Sequence, residues 1–407
     1  MNNSNSSEQK DFKWAVKLNR ISLEFVGLWP ELKQNFREKL LCNLRTFFAV
    51  IIVTIGALVP SIHSLIRIHS NIVLTIDNLQ FTLPILSVVI KLIIFWWKKE
   101  TLIPIVDMIA KDWLKPKSVR ERNTMVIWAL RARIIIICSY VSMAVAYIIF
   151  ITMPIFGKSM RLITNITDPG RPMLLQSYYI YDVTKRPQFE LTFISQAFST
   201  FVAVLPYTGI DNFLGLLTFH ICGQLVILKN RFIHLHDYKD FHEILKDCVT
   251  YHIRLLRAID VIENVYNMIL LVLFLYFGIL FAFYGFLLIS LFQDKEDDVS
   301  MTRLLYLIVI IMVLFAHMCL YCAVGEMLMA QVILFYINNC NEIHFATYNH
   351  EWYFLDSKEA KNLIPFMIRA SQPIHFTAGK VFPMTMATFC NLIKTSAGYI
   401  SVLFTGN

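Results

Sequence analysis

Charge is scarce in this chain. Only 16% of its 407 residues are Asp, Glu, Lys or Arg, where a soluble protein carries about 25%. A soluble globular domain is thereby excluded. Glycine and proline are also few, at 13 each, which argues against a transporter built from broken helices. The eight cysteines, at 42, 138, 222, 248, 319, 322, 340 and 390, imply no external disulfide framework, since none falls in a segment assigned below to the outside. Cys319 and Cys322 have the spacing of a redox or metal pair, but they lie within an apolar run, where packing is expected. Catalytic signatures are missing as well. His242-Glu243 is followed by Ile-Leu-Lys and the next His is at 252, so the zinc motif His-Glu-x-x-His is not formed. No glycine-rich phosphate loop or dinucleotide fingerprint occurs. His234, His236 and His242 read as a solvated helical face rather than a metal site. The expectation is a protein with no enzymatic activity, no cofactor and no metal.

What is abundant is apolar. The chain is 57% hydrophobic, with a mean hydropathy of +0.56, 32 Phe and 17 Tyr. This composition predicts an all-α, seven-transmembrane protein. Seven runs are long enough to span a bilayer, about 45–66, 72–97, 130–153, 191–219, 267–292, 304–327 and 381–404. No signal peptide precedes them, so the first run is expected to act as an uncleaved anchor. Residues Phe12 to Leu28 place apolar residues at helical spacing among Lys and Arg, a pattern expected to lie on the inner membrane surface. Segments 220–266, 319–340 and 358–370 continue the helical pattern, so the fourth, fifth and sixth spans are expected to extend into a cytoplasmic anchor bundle.

The basic residues give the orientation. The segments 1–45, 98–133, 220–266 and 328–380 hold 27 Lys and Arg, and the alternating segments hold 8. The excess puts the N-terminus in the cytoplasm and the C-terminus outside. Because these residues are confined to particular loops, the net charge of +8 is not read as nucleic-acid binding. The sequon Asn165-Ile-Thr167 then falls in the second external loop, where glycosylation is possible. The sequons at Asn2 and Asn5 would be internal and silent. Two charges lie in odd places. Lys91, near the inner end of the second span, is expected to snorkel. Asp211, in the fourth span, is expected to make a structural polar contact with other helices.

The last run, 381–404, is not uniformly apolar. Asn391, Thr395, Gly398, Ser401 or Val402, and Thr405 recur every three or four positions and share one helical face. Lys394 also lies mid-span and must reach water or a partner. Such a stripe should not face lipid. It fits either a pore lining or close helix packing through small residues.

Several stretches, taken in order, resemble the insect odorant receptor family. They are Asn19-Arg20 and Gly27-Leu-Trp-Pro30 near the start, Gln196, Asp211 and Gly223-Gln-Leu225 around the fourth span, and Tyr321-Cys322 and Gly325-Glu326 in the sixth. Tyr348, Trp352-Tyr353, Met367-Ile-Arg-Ala-Ser-Gln-Pro373 and Thr377-Ala-Gly379 follow, then Phe389-Cys-Asn-Leu-Ile-Lys-Thr-Ser-Ala-Gly-Tyr399 with Leu403. The family commonly has Ser-Tyr where this chain has Gly398-Tyr399.

The resemblance implies an odorant-gated, non-selective cation channel in the plasma membrane of a sensory neuron dendrite. It implies a tuning subunit that forms a hetero-oligomer, a tetramer, with the odorant receptor co-receptor. It implies a pore lined by the last helix, through Asn391, Lys394, Thr395, Gly398, Tyr399, Val402 and Gly406, with Val402 at the apolar gate. Asp294, Glu296, Asp297 and Asp298 would sit at the outer mouth. The pocket for a small volatile apolar odorant is expected in the outer half of the second, third, fourth and sixth spans, lined by Phe81, Met143, Tyr147, Phe150, Phe198 and Tyr306, with Asn78 as hydrogen-bond partner. The expected organisation is 1–43 as a cytoplasmic segment, 44–330 as six spans, 331–380 as the anchor region and 381–407 as the pore helix. The alternatives are a self-sufficient channel of the gustatory receptor type and a metabotropic seven-transmembrane receptor. The reversed topology opposes the latter, as does the lack of Asp-Arg-Tyr after the third span and of Asn-Pro-x-x-Tyr in the seventh.

Overall fold

The structure, a computed structural model, describes residues 2–31, 34–115, 117–157, 172–233, 241–293, 301–349 and 376–405. The chain is built from helices: α1 (Asn2–Val26), α2 (Phe36–Val53), α3 (Val59–Ile68), α4 (Ile72–Lys98), α5 (Ile103–Leu114), α6 (Val119–Ile155), α7 (Gln188–Ile233), α8 (Phe241–Gln293), α9 (Met301–Asn349) and α10 (Met386–Thr405). Among the described residues, six stretches are long and apolar enough to cross a membrane: α2 with α3, α4 with α5, then α6, α7, α8 and α9. The 20 residues of α10 add a seventh.

Local chemistry sets the helix starts. The Ser118 hydroxyl accepts from the Glu121 amide at 3.2 Å, and the Glu121 carboxylate accepts from the Ser118 amide at 3.1 Å. This reciprocal box pins the start of α6. The Asn71 side chain accepts from the Val73 and Leu74 amides and starts α4. A π-helical turn at Thr54–Leu58 separates α2 from α3, and Pro60 follows in the first turn of α3.

The long helix α7 is the centre. It touches α1, α2, α4, α6, α8 and α9, and most of its apolar stretch is buried, whereas α6 is mostly exposed. Phe213 of α7 packs on Trp29 and on Phe95, and Phe95 in turn packs on Tyr266 of α8. Helices α7, α8 and α9 run 46, 53 and 49 residues. At about 30 Å of hydrocarbon a span needs only about 20 residues, so each helix extends well past a bilayer, as the sequence pattern predicted.

Several expectations need correction. The first spanning helix begins at Phe36 rather than near residue 45, and the third begins at Val119 rather than 130. The last begins at Met386 rather than 381. There a two-residue hairpin pairs Thr377 with Pro383 and Ala378 with Phe382. The hairpin is tied to α8: the Gly379 amide donates to the Asn267 carbonyl at 2.8 Å, and the Thr377 hydroxyl donates to Glu263 at 2.6 Å. Helix α1 does not simply lie on a membrane. Its Ala15, Val16, Asn19, Leu23 and Val26 are buried against the bundle, and Ile21 and Phe25 stay exposed. Bundle packing covers more apolar surface than one-sided contact with a membrane.

Candidate functional site

Helix α10 shows two faces. Phe389 and Ser396 are buried, Leu392 and Ile393 are partly so, and the Ser396 hydroxyl donates to the Gly278 carbonyl at 3.1 Å. Ala387, Cys390, Asn391, Lys394, Thr395 and Gly398 are all exposed. These six recur at helical spacing and form one stripe. A Cβ added at Gly398 would meet nothing within 4 Å. The single chain therefore leaves uncovered the polar face that lipid should not see. Tyr399 and Val402 lie on the same helix. Gly406 lies outside the described residues, as do Asp294, Glu296, Asp297, Asp298, Asn165, the 358–370 segment and the His234 and His236 pair.

The proposed pocket residues divide. Met143, Tyr147 and Phe150 are spaced four and three apart on α6 and are all half-buried. Phe150 stacks on Phe81 of α4, with ring centres 5.7 Å apart. The Tyr147 hydroxyl donates to the Ala197 carbonyl of α7 at 2.7 Å, and its ring packs on Phe201. Tyr306 of α9 packs against the core. Phe198 points elsewhere, being 54% exposed on the outer side of α7. Asn78 is also spoken for. Its amide donates to the Ser61 and Gln176 carbonyls, each at 3.4 Å, and its carbonyl accepts from Thr82 at 2.7 Å. It is a structural strut, because the chain after α6 folds back beside it.

That returning segment was not foreseen. Met173, Leu174, Leu175 and Gln176 are each at most 2% exposed, although they belong to a loop. Gln196 of α7 holds them. Its carbonyl accepts from the Leu175 amide at 3.1 Å, and its amide donates to the Ser177 and Tyr179 hydroxyls at 2.7 and 3.1 Å. Arg67 of α3 lies over the Tyr178 ring at 3.6 Å. Replacing Gln196 with Leu strands the buried Leu175 amide, at a cost of about 1–3 kcal/mol. Hydrogen–deuterium exchange of residues 173–179 should rise by about tenfold or more, with exchange in α8 unchanged.

Deeper in the bundle, Lys91 of α4 and Asp211 of α7 meet. The Lys91 ammonium donates to both carboxylate oxygens at 2.8 and 2.6 Å, and Lys91 is 0% exposed. Lys91 thus does not snorkel to the membrane edge. The opposite charge across the helix pair is nearer than water. The Tyr207 ring lies 4.2 Å from the ammonium and adds a cation–π contact. Asp211 makes the structural polar contact expected of it.

Comparison with known proteins decides the assignment. The family model described as "7tm Odorant receptor" matches residues 71–397. The chain belongs to the insect odorant receptor family. Odorant receptor Or2 of Anopheles gambiae is 25% identical over 265 residues, 62% of this chain and 64% of that protein. Odorant receptor 10 of Aedes albopictus is 23% identical over 68% of each chain. The chain thus spans just under two thirds of the Anopheles relative. The olfactory receptor OR5 of Machilis hrabei, solved in complex with eugenol, superposes with a TM-score of 0.77 over 99% of this chain and 100% of that one, at 15% identity. The shared fold holds at an identity too low to carry residue roles. The receptor is a multi-pass membrane protein of a receptor family, not an enzyme.

The motif residues of the resemblance now have places. Asn19 donates to the Asn212 carbonyl, Gln196 grips the buried loop, and Thr377-Ala-Gly379 forms the hairpin before α10. The strut role of Asn78 was missed because it depends on a loop nearly 100 residues away. Nothing local to the 173–177 segment distinguishes it from an ordinary external loop.

Proposed function

We propose that the receptor is one subunit of an odorant-gated, non-selective cation channel whose pore is lined by α10. The observation that carries this reading is the uncovered polar stripe of Asn391, Lys394, Thr395 and Gly398. In lipid such a face needs water or further subunits beside it. A ring of last helices, one from each chain, provides both. In this reading the other chains are copies of the odorant receptor co-receptor, and the complex is a tetramer in the plasma membrane of sensory dendrites. The Lys and Arg excess supports a cytoplasmic N-terminus, and Asn165 would then be open to glycosylation. Val402 serves as an apolar gate that excludes water until the ring widens. The 331–380 region joins the subunits as the anchor.

The odorant, a small volatile apolar molecule, sits among Phe81, Met143, Tyr147, Phe150 and Tyr306, with the 173–177 segment as the wall at the bundle's outer end. Aromatic and flexible side chains with two hydroxyls suit such a ligand. The complex of the related OR5 fold with eugenol supports a pocket for small aromatic volatiles.

The test is current from excised patches of cells expressing the receptor with and without the co-receptor, with odorants applied and no nucleotide present. Rapid cation current that needs both subunits is expected. Lys394→Glu should raise unitary cation conductance, since it puts an acidic charge on the pore wall. Current from this chain alone would favour the gustatory type of channel. A slow, nucleotide-dependent response in whole cells, with silent patches, would favour the metabotropic reading. Unchanged conductance in Lys394→Glu would remove α10 as the pore lining.

A further inference from the structure

Helix α1 turns one face to the bundle and leaves another open. Ala15, Val16, Asn19, Leu23 and Val26 are buried. Lys10, Lys13, Lys17, Ile21 and Phe25 are exposed. At 3.6 residues per turn these five fall within an arc of about 120°. The open face is basic at one end and apolar at the other, where Ile21 and Phe25 are 56% and 60% exposed.

The three lysines differ from the other cations around α1. Arg122 of α6 meets Asp11 at 2.7 Å, Arg20 meets Glu24 and Glu31 at 3.3 and 3.0 Å, and Lys39 meets Glu100 at 2.6 Å. Among the described residues no ion pair reaches Lys10, Lys13 or Lys17. Glu24 lies on the same arc, but Arg20 holds its carboxylate. Glu8 and Asp11 lie off the arc and are half-buried. Two further cations flank the face. Arg45 of α2 donates to the Glu24 carbonyl at 3.3 Å, and Arg133 of α6 donates to the Trp14 carbonyl. Bonds to neutral carbonyls leave both charges uncompensated.

A soluble acid would answer the lysines and leave Ile21 and Phe25 in water. Hydrocarbon alone would answer those two and leave the lysines without a counter-charge. A partner with an anionic head and apolar chains answers both ends of the face. The place of α1 narrows the choice. It is held by Lys99, Arg122 and Arg133, all from the basic segment 98–133, which lies inside in the orientation proposed above. The inner leaflet is where anionic phospholipids concentrate.

We propose that the exposed face of α1 is a docking surface for anionic phospholipid of the inner leaflet. The charged heads lie on Lys10, Lys13 and Lys17, and acyl chains lie along Ile21 and Phe25. The assignment rests on the cytoplasmic orientation of the N-terminus and is independent of the odorant pocket and the pore.

The experiment uses the full-length receptor in phosphatidylcholine nanodiscs. These are doped with phosphatidylserine or phosphatidylcholine that carries the same diazirine acyl chain. Photolabelled residues are mapped by mass spectrometry. At equal doping, the serine lipid should label residues 17–25 at least tenfold more than the choline lipid. Three lysines at about 1 kcal/mol each set a ceiling of about 150-fold. Replacing all three lysines with Gln should remove the preference, and Lys17→Gln alone should lower it about fivefold. Gln at exposed helical positions keeps the fold, which size exclusion of the variant checks. Lys185→Gln, on the other side of the membrane in this orientation, should leave the preference unchanged. Raising salt to about 1 M, where the Debye length is about 3 Å, should erase it. Equal labelling by the two lipids would overturn the surface. So would a preference that survives the triple variant. Loss of the preference in millimolar inorganic phosphate at constant ionic strength would overturn the lipid as occupant in favour of a soluble anion. Nanodiscs offer both leaflets the same lipids, so these results do not depend on orientation. Orientation is read separately, from an N-terminal epitope tag in intact and permeabilised cells. Staining of intact cells would overturn the inner-leaflet assignment alone.

Discussion

Lys91→Met is expected to abolish most of the folded receptor at the cell surface. The substitution keeps the volume of the side chain and removes its charge. Asp211 is then left in the bundle with no cation to answer it. Losing one partner of a buried pair costs about 3–5 kcal/mol, because the remaining charge stays desolvated. Asp211 is slightly exposed, at 11% of its side chain, which puts the loss at the lower end of that range. The double variant Lys91→Met with Asp211→Leu should recover much of the surface density, since an apolar pair of similar volume needs no counter-charge. Fluorescence-detected size exclusion of detergent extracts measures the folded fraction. Equal folding of Lys91→Met and wild type would show that the pair is not desolvated.

Gly27→Ala should have an effect of similar size for a different reason. Gly27 ends α1 with a φ of +77°, in the left-handed region. An added Cβ would overlap the Cys42 carbonyl oxygen of α2. The backbone preference alone costs about 1–2 kcal/mol. Relieving the clash adds a cost on the scale of overpacking, about 1–3 kcal/mol. The neighbouring bonds make yielding difficult, since the Gly27 carbonyl accepts from Lys99 at 2.9 Å and the Thr46 hydroxyl donates to the Val26 carbonyl at 2.9 Å. Thermal unfolding in detergent should begin several degrees lower than for wild type. An unshifted transition would mean that α1 does not need this junction.

Most of the spanning helices could be read from the sequence because hydrophobic run length is a direct consequence of bilayer thickness. The polar stripe of α10 was equally legible, since Asn391, Thr395 and Gly398 announce themselves by spacing alone. What could not be read was partnership at a distance. Lys91 and Asp211 are 120 residues apart, and each looked like a separate problem with a separate solution. Asn78 looked like a polar group waiting for a ligand, and its partners turned out to be the carbonyls of two other segments. Phe198 has the composition of a pocket residue, but only rotation about the α7 axis decides whether it faces in or out. Starts of helices were misplaced for a simpler reason. Hydropathy marks where lipid begins, whereas Ser118 with Glu121 marks where hydrogen bonding begins, and the two differ by about three turns.

The unbroken length of α8 has a mechanical consequence. Its 53 residues contain no proline, and at 1.5 Å per residue they form a rod of about 80 Å. A bilayer holds about 30 Å of it, which leaves a long arm outside. A rod pivoting in the membrane by about 2 degrees swings a 50 Å arm through nearly 2 Å, at the upper end of the about 1–2 Å by which helices shift at interfaces. Geometry thus amplifies a motion too small to disturb the packing near Tyr266 into one large enough to re-register whatever touches the arm's tip.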